Sequence, residues 1–277
     1  HRRESAMSTL DRYRVSPGKP FKIADCDPND RNERSKTGKG ADEEVLARLA
    51  AELDTLQDVL YAQSKHRILL VLQGMDTSGK DGTIRNVFSA VDPLGVRVAS
   101  FKVPSTEERA RDFLWRIHKE VPRDGEIVIF NRSHYEDVLI VAVHGWIDQA
   151  ECDRRYRHIN EFERALAETG TTIIKCMLHI SKDEQKARLE ERLADPTKNW
   201  KFNPGDLKER ERWDDYMKAY SRAITATSTD WAPWYVVPAN SKTNRNLLIL
   251  RLLIERLKAL ELKHPDPAPG LDKIKVI

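Results

Sequence analysis

The sequence predicts an α/β domain in three layers (α/β/α): a five-stranded parallel sheet covered by helices on both faces, with a helical lid at one end. Three observations predict it: five short apolar runs, helix-period segments between them, and one glycine-rich turn joining the first run to a helix. Strands that alternate with helices require crossover connections, and sheets built that way are parallel and buried on both faces. At 277 residues the chain suits one large domain, or one domain with appendages.

Residues 1–6, ahead of Met7, read as a cloning remnant or an extension and are set aside from the fold. Residues 1–41 are taken together as an N-terminal arm. From 8 to 41 it is polar, rich in Pro, Gly, Asp and Lys, and aperiodic, so it either wraps the domain or stays mobile. Between 42 and 64, Leu46, Leu49, Leu53, Leu56 and Leu60 recur at spacings of three and four, one apolar helix stripe. ILLVLQ (68–73) is the first strand. The helix after the glycine turn has Ile84, Val87, Phe88 and Val91 on its inner face, and VRVASF (96–101) is the second strand.

Ser105 with Glu108 makes a capping box for the next helix. EIVIF (126–130) is the third strand, stopping abruptly at Asn131, Arg132 and Ser133. Helices are expected at 135–143 and 148–169, the second capped by Asp148 and stopped by Gly170. TIIKCMLHI (172–180) is the fourth strand, with Cys176 a core residue. Ser181 with Glu184 is a second capping box, for a helix that ends before Pro196. One charged helix is expected over 207–227, WYVVPA (234–239) is the fifth strand, and 244–262 is the last helix. The domain is thus expected over 42–262, with its lid at about 182–226 and a loose, proline-bearing tail at 263–277.

Composition narrows the function classes. A net charge of +3 argues against a general nucleic-acid coat while leaving room for a local basic cleft. Cys26, Cys152 and Cys176 lie far apart with no CxxC pair, which favours reduced thiols and a cytoplasmic protein. No apolar run approaches the roughly 20 residues that span a bilayer, so no membrane partner is expected.

The strongest signal is Gly74-Met75-Asp76-Thr77-Ser78-Gly79-Lys80, a G-x-x-x-x-G-K (Walker A) match placed between a buried strand and a helix. Glycines let backbone N–H groups turn inward around phosphate oxygens, the helix N-terminus adds positive potential, and the lysine neutralises transferring charge. The plainer alternative is a glycine turn with a solvated lysine. The strand–loop–helix setting weighs against it and gives a P-loop kinase-like fold. Two departures matter. Asp81 stands where a Ser or Thr would bind Mg²⁺, and Asp76 sits inside the loop, so the site needs more metal and cationic charge than an ordinary ATPase.

Ligands of open parallel sheets bind beyond the carboxyl ends of strands, so FNRSHYEDVL (Phe130–Leu139) is expected to face this loop. Arg132 can clamp phosphoryl oxygens, and Glu136 and Asp137 are candidate metal or base carboxylates, or simply acids at a helix start. His134 has no metal-ligand spacing around it and reads as structural; His118 and His158 read as surface or packing residues. Arg188, Arg192, Lys198, Lys201, Lys208, Arg210 and Arg212, interleaved with Trp200, Phe202 and Trp213, form a basic lid. Arg188 and Arg192 share a helix face, and lid arginines serve phosphoryl transfer, although Glu190, Glu191, Glu209 and Glu211 can neutralise them. With Arg85 and Lys102, these cations line a track longer than a nucleoside triphosphate needs, which suits an extended polyanion.

GMDTSGKDG, FKVPS, NRSHYEDVL and KNWKFNPGDLKERERWDDY, in that order, resemble the second polyphosphate kinase family over residues 42–262. The NRSHYED form, where other branches carry a DRSWY-like sequence, is similar to the branch that phosphorylates both AMP and ADP. The resemblance implies a fold like thymidylate kinase, polyphosphate as donor, AMP, ADP and ATP as nucleotide partners, and Mg²⁺ with Mn²⁺ as a possible substitute. By position it implies that Asp76 binds metal and orients the acceptor, with Glu136 at the place that tunes acceptor choice and metal binding. It further implies that Gly74, Gly79, Lys80 and Arg132 bind phosphate and that Arg188 and Arg192 are lid cations. Asn131, Asp137, Lys198, Trp200, Lys201 and Arg210 fall in its nucleotide and lid region. Asn131 departs from the family's aspartate, which puts a metal role there in doubt.

The rival readings are an ATP-dependent nucleotide kinase, against which Asp81 and the long cationic track weigh, and a non-catalytic polyphosphate- or nucleotide-binding module. Nucleic-acid binding has no motif behind it. The apolar faces of the 42–64 and last helices leave room for a homo-oligomer, dimer or tetramer, or simply close the core.

Overall fold

The computed structural model describes residues 10–36, 38–271, 274 and 276; residues 1–6 lie outside that set. The helices are α1 (Lys39–Gln63), α2 (Lys80–Val87), α3 (Thr106–Arg109), α4 (Trp115–His118), α5 (Ile140–Val143), α6 (Gln149–Glu168), α7 (Lys182–Ala194), α8 (Gly205–Glu211), α9 (Trp213–Thr227) and α10 (Lys242–Lys258). The strands are β1 (Arg67–Gln73), β2 (Val96–Ser100), β3 (Ile127–Asn131), β4 (Thr171–His179) and β5 (Trp234–Pro238). They form one parallel sheet in the order β2-β3-β1-β4-β5.

The middle strands are apolar on both sides because helices cover both faces. α1, α2 and α10 pack together on one face, while α6 and α9 pack on the other. Ile68 to Leu72, Ile127 to Phe130 and Leu247 to Leu250 are all buried between them. The chain runs from β1 out to β2 on one side and later to β4 on the other. The turn after β1 therefore sits at the switch point of the sheet, where such folds bind ligands. The register sets Leu72 level with Asn131, so the β1 and β3 loops leave the sheet at the same height.

Residues 10–36 wrap the domain. Leu10, Tyr13, Val15 and Ile23 are buried. Val15 N–H donates to Trp234 O at 2.9 Å, and an antiparallel bridge joins Arg14 to Tyr235, so the arm closes the β5 edge. Phe21 N–H and Ile23 N–H donate to Thr225 Oγ1 and Ser221 Oγ on α9 at 3.0 and 3.1 Å. Glu33 N–H reaches Asn244 Oδ1 on α10 at 3.0 Å. At the other end, residues 263–271 are exposed.

Three local expectations change. The 207–227 segment is two helices, broken at Arg212, whose guanidinium reaches back to Val143 O at 3.2 Å. The 135–143 segment is a 3₁₀ turn (His134–Val138) followed by α5, broken at Leu139 (φ −104°, ψ −81°). The Ser105–Glu108 capping box forms fully, whereas the Ser181–Glu184 one forms only by half. There Ser181 Oγ accepts from Glu184 N–H, but the Glu184 carboxylate is taken by Arg188 Nε at 2.7 Å, and Ser181 N–H turns to Asn240 Oδ1.

Candidate active site

The loop after β1 needs left-handed backbone at Gly79 (φ +102°) and also at Thr77 (φ +66°), which turns successive N–H groups toward a common centre. Lys80 opens α2, and its side chain folds back over the loop. Its Nζ donates to Gly74 O at 2.8 Å and Met75 O at 3.3 Å. Burial, and next the charge of Arg132, push the Lys80 ammonium down to about 8, against the pull of Asp76, Glu136 and Asp81.

Arg132, left-handed at φ +65°, hangs from the end of β3 across the mouth of the loop. Its Nη2 donates to Asp76 Oδ1 at 2.8 Å, and its Nη1 lies 3.5 Å from Glu136 Oε2. Burial alone would lower the guanidinium's proton affinity, but Glu136 and Asp76 more than reverse that and raise it. Gln73, the last residue of β1, donates to Glu136 Oε1 at 3.0 Å and accepts from Ser133 Oγ at 3.0 Å. Asn131 Nδ2 donates to Asp81 Oδ1 at 2.8 Å, so the two residues that depart from the usual pattern bond to each other.

Helices α7, α8 and α9 bring Gln185, Asp206 and Tyr220 to the loop. Asp206 of α8 feels Asp76, Arg192 and Arg132; burial, then the nearby Asp76 charge, raise its proton affinity. Arg192 Nη1 is 3.9 Å from Asp206 Oδ2. Tyr220 of α9 is buried beside Gln73 and Glu136, and burial, then the Glu136 charge, push its hydroxyl up.

A buried ion pair holds the acid-bearing segment from below. Lys175 Nζ on β4 donates to Glu163 Oε2 at 2.6 Å, Thr227 O at 2.7 Å and Tyr135 Oη at 2.8 Å. Glu163 Oε1 also accepts from Tyr135 Oη at 2.8 Å and lies 3.0 Å from His134 Nε2. Burial would raise the Glu163 carboxyl, but the Lys175 charge and the His134 bond keep it low; burial lowers the Lys175 ammonium. His134 is therefore a structural link rather than a base. Residues 134 and 135 are pinned, and Arg132 and Glu136 flank them.

A family profile described as Polyphosphate kinase 2 (PPK2) matches residues 36–265. The chain belongs to the polyphosphate kinase 2 family. It is 54% identical over 267 residues to an AMP/ADP-polyphosphate phosphotransferase from Meiothermus ruber, covering 96% of this chain and 100% of that one. It is 44% identical over 242 residues to an ADP-polyphosphate phosphotransferase from Rhodopseudomonas palustris, covering 83% and 84% of the two chains. The crystal structure of polyphosphate kinase 2 from Arthrobacter aurescens superposes with a TM-score of 0.91 at 48% identity, over 98% and 96% of the two chains.

In this polyphosphate kinase 2, Gly74, Asp76, Gly79, Lys80, Asn131, Arg132 and Glu136 come together around the loop. Other expected residues lie apart from them. Asp137 turns to Arg116 Nη2 at 3.5 Å, and burial raises its proton affinity. Lys102 is exposed and offers its carbonyl to Arg116 Nη1, and Arg85 is exposed on α2. Lys198 is neutralised by Glu191 at 2.6 Å and Asp195 at 3.1 Å, while Lys201 lies over the exposed Trp200 ring. Arg210 Nη1 ties α8 to α7 through Lys182 O and Gln185 Oε1. Arg188 is not a free lid cation. It is buried beneath the loop, bonded to Glu184, Thr77 O (2.9 Å), Ala239 O (2.7 Å) and Asn240 O (3.1 Å). The middle of α7 runs against the loop, so of two arginines one turn apart the first is buried beneath it and the second, Arg192, meets Asp206 of α8.

Sequence reasoning passed over Gln73, Gln185, Asp206, Tyr220 and Arg245. Gln185 Nε2 donates to Asp76 O at 3.0 Å and fixes the loop acid from α7. Of these only Gln73 carried a local signal, an amide closing an otherwise apolar strand.

Proposed function

We propose that this enzyme transfers the terminal phosphoryl group of inorganic polyphosphate to AMP or ADP, giving ADP or ATP. What carries the reading is the convergence of the Gly74–Lys80 loop with Arg132, Asp76 and Glu136 in a chain 54% identical, over 96% of its length, to a relative named for that reaction. A nonbridging oxygen of the acceptor's terminal phosphate attacks the terminal phosphorus of the chain. The bond to the bridging oxygen breaks, and the shortened polyphosphate leaves as an oxyanion. The attacking oxygen is already ionised near neutral pH, so alignment and charge neutralisation supply the catalysis.

Lys80 and Arg132 meet the charge that spreads over the transferring group. The loop N–H groups and the α2 N-terminus hold the donor phosphate. Asp76 and Glu136 are half-buried carboxylates on the cleft side, the hard oxygen donors that Mg²⁺ prefers alongside substrate phosphates and water. When bound, Mg²⁺ or Mn²⁺ supplies charge neutralisation of phosphoryl oxygens. Among the described residues no helix is long and apolar enough to cross a membrane.

The test is ³¹P NMR and nucleotide chromatography with Mg²⁺ and long-chain polyphosphate, each of AMP, ADP, GMP and GDP supplied separately, and ATP as the alternative donor. AMP converted to ADP and then ATP only with polyphosphate supports the reading. Inert polyphosphate with active ATP overturns it.

A further inference from the structure

Arg245 lies in the first turn of α10, buried almost completely. Both its Nε (3.1 Å) and its Nη2 (2.9 Å) donate to Asn246 Oδ1, a neutral amide. No carboxylate pairs with it among the described residues, and its Nη1 has no hydrogen-bond partner among them. Arg188, by contrast, has Glu184.

The guanidinium lies along the opening turn of α2. A Cβ on Gly79 would overlap Nη1 and would stand 3.7 Å from Arg188 Nη1, and a Cβ on Gly82 would stand 3.4 Å from Nη2. The missing Cβ at Gly79 thus leaves the room that the arginine fills, while a Cβ at Gly82 would be in ordinary contact with it. This is a poor place for a lone cation. It is almost wholly buried, beside a second guanidinium, and near the positive end of a helix whose N–H groups already seek an anion. Burial and then the Arg188 charge push its proton affinity down to about 10. It donates no hydrogen bond to the loop, so loop-holding does not account for it.

The geometry assigns to Arg245 the role of a buried cationic floor beneath the phosphate loop, a positioning residue whose charge is balanced by the phosphate chain of the bound donor. This rests on polyphosphate being that donor. Gly79 holds open a contact that stabilises a bound polyanion through the loop without touching it.

The experiment compares full-length wild type, Arg245→Met and Arg245→Lys by calorimetric titration with tripolyphosphate, no nucleotide present, and by melting with and without it. Arg245→Met is expected to bind roughly 10- to 30-fold more weakly, the scale of one unit charge acting over about 8–10 Å at an effective permittivity near 20. Its ligand-free form is expected to melt as high as wild type or higher, because an unbalanced buried charge has gone. Arg245→Lys keeps most of the affinity. If Arg245→Met does not fold, Arg245→Gln, which keeps an amide donor toward Asn246, takes its place. Unchanged binding in the neutral variant overturns the inference, as does a ligand-free melting point lowered in both the neutral and the lysine variants. If wild type itself ignores tripolyphosphate, the donor reading falls and takes this one with it.

Discussion

Replacing Glu163 by leucine leaves the Lys175 ammonium buried without a carboxylate. The structure shows what would remain to it: two neutral acceptors, Tyr135 Oη at 2.8 Å and Thr227 O at 2.7 Å. Breaking a buried pair from one side costs about 3–5 kcal/mol. For a chain of this size that lowers the melting temperature by about 6–20 °C, at roughly 2–4 °C per kcal/mol. Adding Lys175→Met removes the stranded charge. Recovery is partial, because Tyr135 and His134 have also lost their acceptor, an unmet-donor cost of about 1–3 kcal/mol each. A double-mutant cycle in urea should return a coupling of at least about 2 kcal/mol. A single-variant cost below about 1 kcal/mol, or a double variant no more stable than Glu163→Leu, refutes the claim that this pair anchors the segment between Arg132 and Glu136.

Lys80→Ala and Asp76→Asn are each expected to lower turnover by about 10²–10³-fold or more while circular dichroism and melting stay near wild type; near-normal turnover in either removes it from the site. Asp137→Asn, whose side chain meets Arg116, is expected to stay within about tenfold of wild-type kcat/KM, and a loss as deep as that of Asp76→Asn would place Asp137 at the phosphates after all. The unfolded chain holds the Lys80 proton to about 10.5 and the folded one only to about 8. The unfolded state therefore binds more protons in that window, and folding stability rises with pH across it. A bound polyanion pulls the ammonium back up, so tripolyphosphate binding at pH 8.5 should take up protons, seen as a buffer-dependent calorimetric heat. Lys80→Arg should abolish that uptake, and a heat independent of buffer counts against it.

The strands were legible because β1, β3, β4 and β5 are buried on both sides and read as apolar runs. The phosphate loop was legible because its glycines and lysine are local in sequence. What stayed hidden depends on contacts between distant segments. The break at Arg212 falls inside an evenly charged, helix-favouring stretch, and it follows from where Val143 lies in space. Lys175 interrupts a strand in plain view, yet its partner Glu163 reads as one more surface acid on α6. Arg188 and Arg192 are equivalent by helical spacing, and only the path of α7 against the loop separates a buried strut from an arginine that meets α8. Arg245 sits in a helix that reads as apolar packing, with nothing nearby to point toward residues 79 and 82.

The arm is made well before the surfaces it docks on. Val15, Phe21, Ile23 and Glu33 find their partners at Ser228, Thr225, Ser221 and Asn244, some two hundred residues downstream. At a synthesis rate of about 5–20 residues per second, the N-terminal segment waits on the order of ten seconds or more before its docking surface leaves the ribosome. Until then its apolar residues and the β5 edge await one another. The slowest contacts to close are the long-range ones. A circular permutant that carries residues 10–36 after α10 would turn that wait into a short hop, and refolding amplitudes that follow arm seating should quicken accordingly.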